Sequence, residues 1–188
     1  MAVGCYPGSF DPPTLAHLAI VAAAIERFEL ERVDLVVSRV ALIKEHVTIP
    51  VLADRLAVLS EIVAAHHGLG LVVSDQQLLV DLASGYDVLV LGADKWAQVR
   101  DPRFYGGSPA ARDAAMAALP PLAFVSRPGH DEGPLPVGTV RLLLADGLAE
   151  MSSTAARAGH RHWMAPEARA FDDRTGAWTD PARYRQPG

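Results

Sequence analysis

The chain has 188 residues, of which 50% are hydrophobic and 21% charged, a composition that suits one globular domain with a core of its own. The formal net charge of -5 argues against a nucleic-acid partner, because such proteins usually present a basic face. A single cysteine, Cys5, excludes a disulfide framework within the chain. The apolar stretches, such as residues 18–25, are too short to span a bilayer, and no charged leader precedes the first strand-like segment. We therefore expect a cytoplasmic protein with no membrane partner.

Short apolar runs alternate along the chain with longer segments of helical period. Strand-like runs lie at 2–6, 33–37, 69–73, 88–91, 122–125 and 140–144, and helical segments at 14–28, 51–66, 76–83, 110–119 and 152–158. The strands are continuously apolar, which is typical of parallel strands covered by helices on both faces. We predict one α/β domain over 1–171 with a Rossmann-like, doubly wound parallel sheet. The polar residues 172–188, interrupted by Pro and Gly, are predicted to form a C-terminal tail.

The loop after the first predicted strand contains the residues of an anion site. Gly8 permits close approach of the backbone to a ligand, and Pro12 and Pro13 favour the start of a helix soon afterwards. If Thr14 caps that helix, His17 lies on the same face of its first turn, where free amides and the helix dipole attract anions. No nucleophile stands beside them, which favours direct transfer of a phosphoryl-type group. The alternative is that Thr14 only caps the helix and His17 only packs beneath the loop.

The segment GSFDPPTLAH resembles the signature loop of the nucleotidylyltransferase superfamily, GxFDPxHxGH, with T-x-G-H in the phosphopantetheine adenylyltransferase branch. The resemblance implies that Thr14 and His17 contact the phosphates of a nucleoside triphosphate and stabilise the transition state. It also implies nucleotide binding by four residues of the loop: Gly8, Ser9, Phe10 and Asp11. The glycine that precedes the last histidine of the pattern is Ala16 here. Its methyl group could crowd the nucleotide and weaken or alter the site.

A second candidate anion site, MSSTAAR, begins the last predicted helix at residues 151–157. Ser152 or Ser153 can cap this helix, and Thr154 and Arg157 share one face of it. Without the first loop, the segment would indicate only a capped helix start. Similar enzymes carry I-S-S-T-x-x-R here, and the resemblance implies that Ser152, Ser153 and Thr154 bind the triphosphate while Arg157 takes part in catalysis.

Between these two motifs, four further candidate residues lie at or just after the ends of buried strands. Gly92 and Asp94 resemble the G-A-D of nicotinate mononucleotide adenylyltransferases, which lies beside the nucleotide. Trp96 could stack on a base or a pyridine ring, or it could cover the loop from the surface. Arg127 belongs to an R-P-G that resembles the same enzymes and is a candidate to bind the phosphate or carboxylate of the acceptor.

Two more basic residues are candidates for the acceptor side. Similar enzymes place a lysine near Lys44 that neutralises transferring or acceptor phosphate, although a solvated pair with Glu45 is the alternative. Arg55 matches the R-L-x-M-L helix of the family and could reach the acceptor, or it could form an internal ion pair. The nicotinate enzymes also carry a G-x-S-Y-T-x-D-T-L stretch, which residues 74–82 of this chain lack.

These features together predict an adenylyltransferase that uses ATP with Mg²⁺ and a small phosphorylated acceptor. Nicotinate or nicotinamide mononucleotide is the first choice of acceptor, and phosphopantetheine the second. A cytidylyltransferase and a degenerate nucleotide-binding regulator are the alternatives. No metal site is predicted in the protein, because His160 and His162 have no carboxylate or cysteine at ligand spacing and Mg²⁺ would be held mainly by phosphates and water. A class I aminoacyl-tRNA synthetase fragment is disfavoured by the short, acidic chain, and the oligomeric state is left open, with a homo-oligomer among the options.

Overall fold

The structure, a computed structural model, describes residues 1–39, 49–127, 129 and 131–185. In this part of the chain, one parallel sheet contains the strands β1 (Val3–Pro7), β2 (Arg32–Ser38), β3 (Leu69–Ser74), β4 (Val88–Gly92), β5 (Leu122–Val125) and β6 (Val140–Arg141). Their spatial order is β3-β2-β1-β4-β5-β6, and every pair of neighbours is parallel. The predicted doubly wound, Rossmann-like α/β sheet is therefore confirmed.

Helices cover both faces of this sheet. They are α1 (Leu15–Phe28), α2 (Leu52–Ala65), α3 (Leu79–Leu82), α4 (Ala93–Arg100), α5 (Pro109–Ala117), α6 (Ser153–Arg157) and α7 (Pro166–Thr175). Successive strand residues point to opposite faces: in β4, Val88 and Val90 pack into the core beneath α1 and α2, whereas Leu89 and Leu91 pack into a second core beneath α3 and α4. This two-sided burial is the reason why the strands are continuously apolar in sequence.

The strand order reverses at β1, which has β2 on one side and β4 on the other. In open parallel sheets, a crevice forms beyond the carboxyl ends of the strands at such a switch point. Pro7 ends β1 and Gly92 ends β4, so the loop at 8–14 and the start of α4 border this crevice. The fold thus brings the first predicted anion site to the place where ligands bind in sheets of this kind.

The structure differs from the prediction in two elements. The last strand was predicted over 140–144 but spans only Val140–Arg141, and Leu143 beyond it is 90% exposed. Helix α4 was not predicted because its sequence is mostly polar. Its buried residues, Ala93, Trp96 and Val99, form a single stripe at a spacing of three.

The prediction of a tail from Asp172 onward is wrong. Helix α7 runs across that boundary, and Asp172 itself is buried, where its carboxylate accepts hydrogen bonds from the backbone N–H of Trp178 (2.8 Å) and of Thr179 (3.1 Å). Trp178 packs in the core, and the Tyr184 hydroxyl donates to Asp54 Oδ2 at 2.6 Å. The polar composition suggested exposed chain, but Asp172 can be buried because it hydrogen-bonds to the Thr179 hydroxyl and to the backbone of the same turn. Among the described residues, no helix combines the length and the apolar character needed to cross a bilayer.

Candidate active site

A cleft of about 300 Å³ lies at the carboxyl ends of β1, β4 and β5, a volume at the small end of the range for ligand pockets. Its walls come from the first loop, the start of α1, the start of α4, the end of β5 and the late serine-rich motif. Most of the predicted site residues line it, namely Gly8, Ser9, Phe10, Asp11, His17, Gly92, Asp94, Arg127, Ser152, Ser153, Thr154 and Arg157. Residues distant in sequence therefore meet around one space.

Direct contacts join the first loop to the start of α6. Ser153 Oγ donates to the backbone carbonyl of Pro12 at 2.8 Å. Arg157 Nη1 donates to the backbone carbonyl of Asp11 and also to Asp11 Oδ2, the latter at 2.9 Å. Ser152 caps α6 by accepting the Ala155 N–H at 3.1 Å. The two predicted anion sites are thus held against each other by hydrogen bonds and one partly buried ion pair.

His17 is held in one orientation by the residue that precedes α1. Its Nδ1 accepts the backbone N–H of Thr14 at 2.9 Å and lies 2.8 Å from Thr14 Oγ1. Burial and, to a smaller extent, the positive charge of Arg127 lower the pKa of His17 from its ordinary value of 6.5 to about 4, against the opposing charge of Asp94. The imidazole is therefore neutral at pH 7. Because Nδ1 is an acceptor, the ring carries its proton on Nε2, which is the donor that His17 can offer to a ligand in the cleft.

The structure buries Thr14, for which a contact with the phosphates was predicted. Thr14 is fully buried, forms an antiparallel bridge with Met164, and does not line the cleft. Its position at the N-cap turns its N–H and hydroxyl toward His17. Thr14 therefore orients the imidazole from behind.

Phe10 and Gly8 explain the shape of the first loop. The Phe10 ring packs edge-on against Tyr6 and against His17, with centroid separations of 5.5 and 5.3 Å. To place its ring there, Phe10 adopts a left-handed backbone with φ of 47°, which is uncommon for a large side chain. A Cβ atom on Gly8 would lie 3.0 Å from the edge of this ring, so a larger residue at position 8 would require the buried ring to shift by a few tenths of an ångström. Ala16, by contrast, is buried within α1, and its methyl group is not part of the cleft wall.

Asp11 is a buried carboxylate between two donors. Its Oδ1 accepts the indole N–H of Trp178 at 2.7 Å, and its Oδ2 accepts from Arg157. Burial raises the pKa of Asp11, while the hydrogen bond from Trp178 and the charges of Arg157 and Arg55 oppose that rise. Sequence reasoning missed Trp178, because the residue lies in the segment that was predicted to be a tail.

Two further cationic side chains line the cleft. Arg127 follows β5, and Lys95 lies in the first turn of α4 beside Asp94; all three line the cleft. Lys95 was not assigned from sequence, although its place directly after the Gly-Ala-Asp segment was a usable signal. Lys44 lies outside the described residues.

Two predicted acceptor contacts are corrected by the structure. Trp96 is fully buried in the second core, and its indole N–H donates to the Pro134 carbonyl at 3.1 Å, so its ring cannot stack on a ligand. Arg55 is 8% exposed and donates from Nη1 to the Ser9 carbonyl at 2.9 Å. It therefore supports the first loop from α2 and does not line the cleft. In both cases, the neighbouring motif was visible in sequence but the direction of the side chain was not.

The fold and the cleft together define a Rossmann-like α/β protein with a candidate anion site at its switch point. Residues 5–116, more than half of the chain, match the family model described as Cytidylyltransferase-like, and the chain belongs to that family. This result confirms the predicted resemblance to nucleotidylyltransferases. The matched range contains the first loop and Asp94 but ends before Arg127 and the late motif.

Similar proteins have been characterised by sequence and by structure. The phosphopantetheine adenylyltransferase of Paracoccus denitrificans (strain Pd 1222) is 39% identical over 98 residues, a match that covers 49% of this chain and 57% of that relative. The nicotinic acid mononucleotide adenylyltransferase of Plasmodium falciparum is similar in structure, both in its complex with APC (TM-score 0.65) and in its complex with NaAD (TM-score 0.66). Each likeness covers 94% of this chain, and 96% or 97% of the other chain, at 13% identity, so it bears on the fold alone.

Proposed function

We propose that this protein is a nucleotidylyltransferase that transfers the adenylyl group of ATP to a phosphate-bearing acceptor and releases pyrophosphate. One observation carries the proposal: the first loop and the late motif, joined through Ser153 and Arg157, line the same cleft as His17. An oxygen of the acceptor phosphate attacks the α-phosphorus of ATP, and the bond from that phosphorus to the oxygen bridging to the β-phosphate breaks. The electron pair leaves with pyrophosphate.

His17 acts in this reaction as a fixed, neutral hydrogen-bond donor. Negative charge on the oxygens around the α-phosphorus is stabilised by a donor that is already in place before the reaction. His17 meets this need because Thr14 occupies Nδ1 and leaves the proton on Nε2. The same arrangement argues against a general-base role, since the lone pair of Nδ1 is used and Nε2 is protonated. An acceptor phosphate needs no base, because its oxygens are already ionised at pH 7.

Arg157 and the serines of the late motif are proposed to hold the β- and γ-phosphates, while Arg127 and Lys95 bind the phosphate of the acceptor. Bound phosphates need cations that can form charge-assisted hydrogen bonds, and these three side chains lie around one cleft. They would reduce the repulsion between two anionic reactants. Lys44 remains a predicted contributor on the acceptor side.

Mg²⁺ is part of the proposal as the ion that accompanies the triphosphate and neutralises part of its charge. The described residues contain no group of three or more His, Cys, Asp or Glu side chains that could hold a metal ion. Mg²⁺ in nucleotide sites is commonly held mainly by phosphate oxygens and water. Asp94 is the cleft carboxylate that would assist. A cytoplasmic location and a homo-oligomeric state also remain proposals.

The acceptor is the open part of this function. Nicotinate mononucleotide was the first predicted acceptor partly because Trp96 could stack on its ring, and the burial of that side chain removes this argument. The relative that is 39% identical acts, by its name, on phosphopantetheine, which supports that acceptor for the half of the chain that it matches. Phosphopantetheine is therefore the first acceptor to test, and nicotinate and nicotinamide mononucleotides come next.

The decisive experiment is pyrophosphate release from ATP and Mg²⁺ with each acceptor in turn, paired with identification of the adenylylated product by mass. Replacement of ATP by CTP tests the cytidylyltransferase alternative. Turnover with one phosphorylated acceptor, and none with its dephosphorylated form, is the expected result. ATP binding without turnover for any acceptor would contradict the proposed transfer and would favour a nucleotide-binding regulator.

A further inference from the structure

We infer that Trp178 is a positioning residue for the triphosphate side of the site, acting through Asp11 on Arg157. The inference rests on the proposed function for the role of Arg157, and it adds a supporting role for Trp178, a residue far in sequence from the first loop. Trp178 does not line the cleft, so any effect on a ligand has to be indirect.

The connection consists of two hydrogen bonds through one carboxylate. The indole N–H of Trp178 donates to Asp11 Oδ1 at 2.7 Å, and Arg157 Nη1 donates to Asp11 Oδ2 at 2.9 Å. Trp178 is 3% exposed and Asp11 7% exposed, whereas the Arg157 side chain is 36% exposed at the cleft. The carboxylate thus links a buried donor to a partly exposed cation that lines the cleft.

Trp178 is itself held in place from behind. Its backbone N–H donates to Asp172 Oδ1, and its ring packs edge-on against Phe171 with a centroid separation of 5.5 Å. Asp172 is in turn bound by Thr179 Oγ1 at 2.6 Å and by Arg161 Nε at 2.9 Å. The indole N–H therefore has a fixed position relative to the sheet, and it fixes the plane of the Asp11 carboxylate.

A fixed carboxylate has two consequences for Arg157. It keeps the guanidinium at the cleft wall, so the side chain loses less freedom when the triphosphate binds. The indole N–H also takes up part of the negative charge of Asp11. Arg157 therefore does not balance that charge alone, and its guanidinium can donate to phosphate oxygens from its place at the cleft wall. Without the indole N–H, Arg157 becomes the main partner of Asp11, and its interaction with the ligand weakens.

The test uses Trp178→Phe, which keeps an aromatic ring and removes the N–H, with Trp163→Phe as the matched control. Trp163 stacks on His160, 4.1 Å between centroids, and lies outside the cleft. Calorimetric titration measures the Kd of ATP and of AMP, which lacks the phosphates assigned to Arg157. The loss of a hydrogen bond to a charged group predicts that Trp178→Phe raises the Kd of ATP about tenfold. The Kd of AMP is expected to stay unchanged, and Trp163→Phe to change neither.

A double-mutant cycle shows whether the effect passes through Arg157. In an Arg157→Ala background, Trp178→Phe should weaken ATP binding no further. Equal losses for ATP and AMP, or full additivity in the cycle, would overturn the inference and leave the proposed function intact. If Trp178→Phe fails to fold, Asp11→Asn tests the other half of the link: its amide oxygen can still accept from the indole, but the charge that holds Arg157 is lost, so the Kd of ATP should rise while that of AMP stays unchanged.

The binding measurements need no acceptor, so they separate the two hypotheses. A wild-type protein that binds ATP but shows no turnover contradicts the transfer reaction alone. Turnover by the wild type, together with an unchanged Kd for ATP in Trp178→Phe, contradicts the positioning role alone. A wild-type protein that does not bind ATP overturns both.

Discussion

Replacing His17 with alanine removes the Nε2–H donor from the cleft and leaves the loop contacts of Ser153 and Arg157 in place. Loss of one donor to charge that develops in a transition state costs on the order of 100-fold in kcat. We expect that reduction for His17→Ala in the pyrophosphate-release assay, with the KM for ATP changed much less. Unchanged circular dichroism and thermal unfolding serve as the check that the variant is folded.

Thr14→Val is the matched control for this prediction. The variant loses the hydroxyl that lies 2.8 Å from Nδ1, but it keeps the backbone N–H that fixes the orientation of the imidazole. We therefore expect a decrease in kcat of less than about fivefold, in line with the loss of one neutral hydrogen bond. A Thr14→Val defect as large as that of His17→Ala would mean that the hydroxyl itself contacts the reacting phosphate.

The pH dependence separates a fixed donor from a general base. With a pKa of about 4, His17 is neutral from pH 5 upward, so it should contribute no inflection in kcat between pH 6 and 8. An inflection near pH 6.5 in the wild type that is absent from His17→Gln would refute the neutral-donor mechanism, as would wild-type kinetics in His17→Ala.

Three further predictions concern stability and the loop. The pKa of His17 is 6.5 in the unfolded chain and about 4 in the folded protein, so between these pH values the unfolded state binds one proton more. The free energy of unfolding should therefore decrease as the pH drops through that window, by up to about 3 kcal/mol. Urea unfolding should show a smaller decrease for His17→Gln. Gly8→Ala places a Cβ 3.0 Å from the Phe10 ring and should destabilise the protein by about 1–3 kcal/mol in urea unfolding while lowering kcat. Ala16→Gly should lower stability by about 1 kcal/mol, because glycine is unfavourable within a helix, and leave the Kd of ATP unchanged.

Each of these predictions has its own control. Phe10→Leu, which shortens the ring at the point of the clash, should partly rescue Gly8→Ala, and strict additivity of the two changes would contradict the steric explanation. Equal acid sensitivity of the wild type and His17→Gln would show that His17 is not buried as a neutral group. Tighter ATP binding by Ala16→Gly would mean that the methyl group does reach the nucleotide.

The sheet was predictable because its strands are largely continuous runs of apolar residues, which is the pattern expected of parallel strands buried on both faces. Val88 to Leu91 are apolar without interruption, and the structure buries Val88 and Val90 on one face and Leu89 and Leu91 on the other. The place of the first loop followed from the same reasoning, since the ends of parallel strands share one edge of the sheet. Most of the residues assigned to the cleft from motifs do line it.

The failures concern directions of side chains and long-range partners. Trp96 follows Asp94 and Lys95 directly, but one helical step of about 100° turns its ring away from the cleft into the core. Thr14 shares a face with His17, yet it is fully buried and forms an antiparallel bridge with Met164, a residue that no local pattern connects to it. Asp172 accepts hydrogen bonds from the backbone of Trp178 and from the hydroxyl of Thr179 within one polar turn. From composition alone, such a turn is predicted to be exposed.

The hydrogen bond between Asp11 and Trp178 joins residues separated by 167 positions, so the support behind the cleft comes from a segment that is synthesised long after the first loop. Contacts of such long range form late in folding because closing the intervening loop carries a large entropic cost. During translation, the sheet can assemble before the pocket is competent. Ligand-dependent protection from proteolysis should therefore appear only for chains that extend through Trp178, which makes nucleotide binding a reporter of completed folding.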